Sequence, residues 1–488
     1  MRRGAPLAAA LAALGCSGLL GLDDFKDAPA TGGSAGSGAS GGTTPTGGAA
    51  GTGAVPSGGG TGASGGAAGS GGTGPTGGTA GTGGSGATGG AAGSGGTGGK
   101  VNLVCAPAPG TKTEILIDKT QIPGDVSPRL ALGADDSPNS PSAHLFVGHD
   151  WGAQAPSGRF DHELIAIRIN DQGQVVGPAV VPIDMQVTFT PALAHVTLGA
   201  TPQVTVLGLR QGVEAWTYPL DSSHALQLPP QGNLLTYLGQ SKCSNAGPNA
   251  KVEAAAFTYE QNDVRIAAVC AGVGSGKREL WLVTGGVQDF VTSKPLTDPS
   301  IDPMGYSYRQ GNNSRILWQN DDGFRVGTAP TDLANGPVYL NASGATSQSL
   351  IGMLPRKGGV VVFLQRTSSG GTTGLASAQL MEPYGTIPTA AVTDLAGPLP
   401  LPGFLQSGTT SSPLKALAGA TPPDTSGTRH VRLLVVNETT GNVIFNGDAF
   451  GLNSDIQSAS AVQIAPDKFL VVGLMSKGNV MGQVLLCK

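Results

Sequence analysis

The densest cluster of side chains able to do chemistry is His149-Asp150-Trp151, followed by Arg159 and Asp161-His162-Glu163. Imidazole and carboxylate together ligate divalent metals. Paired carboxylates can also act as acid and base on a glycosidic bond. Successive residues of a strand face opposite sides, so Asp161 and Glu163 would share a face while His162 points away. The competing reading is a solvated loop between two strands. His149, Asp150, Trp151, Asp161 and Glu163 are thus the candidate ligand or metal residues. A carbohydrate-cleaving site would have to draw on Asp135, Asp150, Asp161 and Asp302. No residue is assigned as catalytic, and neither a dedicated metal site nor a cofactor is expected.

Other motifs fall short of their chemistry. The run from Gly272 to Lys277 looks like a phosphate loop, but the pattern fails at Ala271 and Arg278, and no helix follows. It reads as a hairpin turn. A calcium loop ending at Gly323 would have Trp318 where its first carboxylate belongs. No nucleophile elbow is found on a strand-to-helix turn. Trp216, Trp281 and Trp318 sit in strand-like runs and read as packing residues. Trp151, flanked by Asp150 and Gly152, is the tryptophan expected at the surface, where an aromatic face can stack on a sugar or fill a partner's pocket.

The elements that must carry these residues are strands. Helical spacing is hard to find over ten residues, whereas short apolar runs bounded by Gly, Asp, Asn and Pro recur throughout 101–488. Turn residues split several runs into hairpins, at Asn170 to Gly173, Asn320 to Gly323 and Asn437 to Gly441. Others centre on Gln211-Gly212, Val273 to Gly276, Ser368 to Gly371 and Lys477-Gly478. A further apolar segment precedes nearly every hairpin. Three strands and an irregular fourth, repeated about seven times, give an all-β chain of the β-propeller type. Seven blades are expected and six are possible, with one or two β-sandwiches as the alternative. His162 and His430 each stand 11 residues before a turn glycine, Gly173 and Gly441, which reads as shared blade architecture.

Val435, Asn437, Thr440-Gly441 and Phe445 are spaced as in the repeat of quinoprotein-type propellers, which they resemble. That resemblance implies a blade rather than a quinone.

Composition divides the chain. Of 488 residues 80 are Gly, only 12% are charged, and the formal net charge is -4. That balance lacks the basic face a nucleic-acid partner requires. Residues 1–15 read as an export signal, with Arg2 and Arg3 ahead of an apolar run too short to span a membrane. Ala13-Leu14-Gly15-Cys16 resembles the bacterial lipobox, with its usual first two positions in reverse order. The resemblance implies cleavage before Cys16, acylation of its thiol and attachment to a membrane. Ser17 in place of Asp implies the outer membrane. Residues 16–100 then read as a disordered tether of Gly, Ser, Thr and Ala, too poor in apolar side chains to offset its ordering entropy. Its Gly-richest part, residues 31–100, would span about 45 Å as a flexible coil.

Cys105, Cys243, Cys270 and Cys487 remain downstream. Four cysteines allow three pairings, and an exported chain can oxidise them. The expected pairs are Cys105–Cys487, where an N-terminal strand completes the last blade, and Cys243–Cys270 as a local staple. The expected protein is an exported cell-envelope lipoprotein. Its non-catalytic, monomeric propeller would bind a cell-surface protein or polysaccharide. The alternative is an extracytoplasmic carbohydrate-active enzyme on the same fold.

Overall fold

The computed structural model describes most of residues 104–488; outside it lie 1–103, several short loops, and chiefly 293–303, 307–314, 328–344, 382–391 and 397–411. Cys16, the lipobox and the Gly-rich segment therefore fall outside the described residues, as do Arg159 and Asp302.

The described residues begin with two short strands, β1 (Cys105–Pro107) and β2 (Glu114–Ile117). Seven antiparallel sheets follow in chain order. The first holds β3 (Asp125–Asp135), β4 (Ser142–Asp150), β5 (His162–Asn170) and β6 (Val180–Met185). The second holds β7 (Thr190–Thr197), β8 (Gln203–Leu209), β9 (Gly212–Pro219) and β10 (Asn233–Gly239). The third holds β11 (Lys251–Glu260), β12 (Asp263–Ala271), β13 (Arg278–Thr284) and β14 (Val287–Thr292). The fourth is β15 (Met304–Tyr306), β16 (Arg315–Asn320) and β17 (Gly323–Gly327). The fifth is β18 (Ala345–Arg356), β19 (Gly359–Ser368), β20 (Thr373–Met381) and β21 (Val392–Leu395). The sixth is β22 (Leu414–Ala420), β23 (Val431–Asn437) and β24 (Asn442–Asp448). The seventh is β25 (Ile456–Ala465), β26 (Lys468–Met475) and β27 (Val480–Cys487), joined at its outer edge by β1 and β2.

Neighbouring sheets touch through their first described strands, in the cyclic order β3, β7, β11, β15, β18, β22, β25 and back to β3. That order is a β-propeller, and separate consecutive sheets exclude the sandwich alternative. The sixth sheet differs in one respect. Ser412 Oγ, just ahead of β22, donates to Pro466 O, just past β25. β22 therefore runs opposite to β25, as second strands do in the other sheets.

Period-two alternation explains why the strands read as near-continuous apolar runs. On β3, Leu130, Leu132 and Ala134 pack toward the seventh sheet against Val462 and Ile464, together with Leu116 and Ile117 of β2. Ala131 faces the second sheet, in the cluster with Phe146, Val204 and Tyr218. Burying each such large side chain contributes about 1.5 to 3 kcal/mol. Gly133 lets the first two sheets approach, since a Cβ there would lie 3.1 Å from that of Ala194.

The ends of the ring meet as expected. β1 and β2 both pair antiparallel with β27, with Cys105 opposite Cys487. A disulfide joins those two residues, 382 positions apart in sequence. In the chain-entropy treatment a closed loop of that length stabilises by about 6 kcal/mol. A second disulfide, Cys243–Cys270, fastens a 3-10 turn (Gln240–Ala246) to β12. Two such bonds are the chemistry of an oxidising, extracytoplasmic compartment. Among the described residues no helix is long and apolar enough to cross a membrane.

Candidate functional site

The predicted cluster lies at one end of the first sheet, on β4, β5 and the turn between them. Register alone brings its members together, because His149 is the cross-strand partner of Glu163 and Asp150 that of His162. His149 and Glu163 are fully buried, so the solvated-loop reading fails for both. Their strands are closed on both faces by packing, and the imidazole and carboxylate satisfy each other: His149 Nδ1 lies 3.2 Å from Glu163 Oε1. The Trp151 ring stands edge-on to His149 at 4.7 Å. Gly124 (φ +122°) leaves room for this arrangement, since a Cβ there would come within 2.2 Å of Asp150 O and 2.9 Å of His149 Nε2.

The outer pair is half-exposed. His162 Nδ1 lies 2.9 Å from Thr188 Oγ1 and 3.5 Å from Asp150 Oδ1. Asp150 Oδ1 also accepts Gly152 N at 2.8 Å, and Asp184 Oδ1 accepts Phe160 N at 2.9 Å. Trp151 N donates to Asp161 O. Trp151 is half-buried rather than exposed, while Phe160 is 45% exposed and Asp161 lies on the surface. Asp161 and Glu163 do not form one working face, because Glu163 is sealed inside. Among the described residues no group of three or more His, Cys, Asp and Glu side chains is placed to hold a metal.

Of the other tryptophans, Trp281 is buried in the core between the second and third sheets. Trp216 is half-buried, with the Arg210 guanidinium 5.8 Å from its ring. The side chain of Trp318 lies outside the described residues, as do residues 273–277 of the glycine-rich turn between β12 and β13. His430 stands just before β23, where His162 opens β5, and its Nε2 lies 3.3 Å from Asp424 Oδ2.

A second polar cluster, at the opposite end of the first sheet, was not legible beyond Asp135. Asp135 ends β3 and is fully buried. Its Oδ2 lies 2.5 Å from Nδ1 of His224, on the turn between β9 and β10, and 4.0 Å from Nε2 of buried His144. Arg168 ties the sheets further, donating to Ser142 Oγ and to the Ser223 carbonyl. Burial pushes the His144 imidazole down to about 4, against the attraction of Asp135. His144 is therefore neutral at physiological pH.

His224 has φ +62°. Its turn has three close relatives in the same chain. In Asn170–Gln174, Asp424–Thr428 and Met475–Asn479, as in Asp221–Ala225, the first residue's N–H donates to the fifth carbonyl and the fourth N–H to the first carbonyl. The fourth residue is Gly173, Gly427 and Gly478 in those three, all with φ near +80°. Only in Asp221–Ala225 does a side chain occupy that left-handed position, at a cost of about 1 to 2 kcal/mol. That side chain is the one reaching Asp135. Comparing Asp221-Ser-Ser-His-Ala with Asp424-Thr-Ser-Gly-Thr was the available sequence signal.

No protein-family model and no curated protein matches this chain. Solved structures of similar fold include the N-terminal domain of Nup159 (10% identity, TM-score 0.36, covering 79% of this chain and 96% of that one). Another is the polysaccharide lyase Uly1 (10% identity, TM-score 0.36, 70% of this chain and 88% of that one). A third is the Trypanosoma rangeli sialidase (8% identity, TM-score 0.39, 78% of this chain and 59% of that one). Similarity this remote carries no function across.

Proposed function

We propose that this chain is an exported envelope lipoprotein, anchored through Cys16 and a Gly-rich tether, whose propeller is a non-catalytic binding module. One observation carries the non-catalytic part: of the four described carboxylates near the candidate site, all but the surface Asp161 are held in contacts of their own. Glu163 is sealed against His149, Asp150 caps Gly152 beside His162, and Asp184 caps Phe160. Asp135 is too far away to complete a pair. It lies opposite Ser142, eight residues down β4 from Asp150, which is about 26 Å of strand. A glycosidase pair needs about 5 to 9.5 Å.

The surface left over suits a hydroxyl-rich ligand. Phe160 and the exposed part of Trp151 offer ring faces, and Asp161 offers an acceptor. The favoured ligand is therefore a polysaccharide. The test is a glycan array and a surface-protein pull-down with the full chain, beside Trp151→Ala and Phe160→Ala. Glycan capture that falls at least tenfold in either variant, with unfolding unchanged, supports the reading. Capture that ignores both substitutions removes this surface from consideration.

A further inference from the structure

We infer that the Cys105–Cys487 disulfide protects the ring against force arriving through the upstream chain. The inference rests on the reading that the protein is held from a point before Val104. At that point the chain runs straight into the closing ladder. Val104 is exposed, and its backbone exchanges two hydrogen bonds with Lys488. Cys105, Ala106 and Pro107 then face Cys487, Leu486 and Leu485, and Glu114 to Ile117 face Gly482 to Val480.

The strand that receives the pull and its partner's last residues therefore lie at the same end of the ladder. Tension there opens the ladder like a zipper. Each backbone bond is loaded alone rather than together with its neighbours in shear. β1 and β2 would peel first. Their loss would strip Leu116 and Ile117 from the core shared by the first and seventh sheets. The disulfide sits at the first rung inside that open end. It passes tension from Cys105 directly to Cys487 of β27, so the rungs behind it carry none.

The test is single-molecule pulling on the full chain with Cys16→Ser, held by its two ends. With the disulfide intact, only the segment before Cys105 should extend. Cys105→Ala/Cys487→Ala, or the parent chain reduced in place after folding if that variant does not fold, should show a first step of about 50 Å as β1 and β2 peel. The ring should follow, for a total of about 1,200 Å where Cys243–Cys270 stays closed and about 1,300 Å in the reduced chain. Gain of the ring's length by the oxidised chain overturns the inference. So does opening of the reduced chain without the short first step. Anchoring is tested apart, by fatty-acid labelling of Cys16: absence of label would remove the lipid-anchor reading and leave the pulling result untouched.

Discussion

His224 Nδ1 lies 2.5 Å from Asp135 Oδ2, linking a turn of the second sheet to the end of β3 in the first. The contact spans 89 residues of sequence and places an imidazole against a carboxylate that has no exposure to water. A left-handed backbone at a non-glycine residue is retained where the side chain there matters.

His224→Gly should therefore destabilise the protein, although it relieves the backbone. Removing the strain returns about 1 to 2 kcal/mol. Breaking a buried pair costs about 3 to 5 kcal/mol, less here because His224 is 20% exposed and Asp135 keeps the Ser137 N–H at 3.2 Å. The expected net loss is about 1 to 2 kcal/mol, read from the urea midpoint at unchanged slope. A variant as stable as the parent would mean that the pair contributes nothing.

His144 should make stability depend on acidity. Its folded value, about 4, lies below the ordinary 6.5 because burial disfavours the imidazolium. The unfolded chain therefore binds more protons between those two values. Stability from this residue is full above about pH 6.5, falls as pH drops toward 4, and changes no further below that. The loss over the window is about 3 kcal/mol. Urea titrations at pH 7 and pH 4 should show it, and His144→Leu should flatten it. An equal slope in both proteins would contradict the assignment.

Gly124→Ala should disturb the opposite end of the same sheet. The new methyl would meet the Asp150 carbonyl at 2.2 Å, on a backbone angle that side chains rarely adopt. A loss of about 2 to 4 kcal/mol is expected, with a shift of the His149 ring resonances. Unchanged melting and an unshifted ring would show that this end of β3 yields freely.

The fold was largely legible because turns and alternation are local. Asn170 to Gly173, Asn320 to Gly323 and Asn437 to Gly441 each stand at or beside a strand-to-strand connection, and the apolar segment before each hairpin lies in the first described strand of its sheet. Cys105 and Cys487 marked the closure because one opens the strand region and the other ends it. The site was less legible because pairing register is not local. His149 and Asp150 look alike in sequence, yet one is sealed against Glu163 and the other reaches the rim. His224 escapes notice, since nothing nearby in sequence signals a carboxylate 89 positions upstream.

The most direct measurement is release of reducing ends from a polysaccharide that the protein captures. A binding module should hold the polymer through the Trp151 and Phe160 surface and produce no new ends over extended incubation. Steady release that disappears in Glu163→Gln would show that the sealed carboxylate works as a catalyst, and the binding-module reading would be wrong.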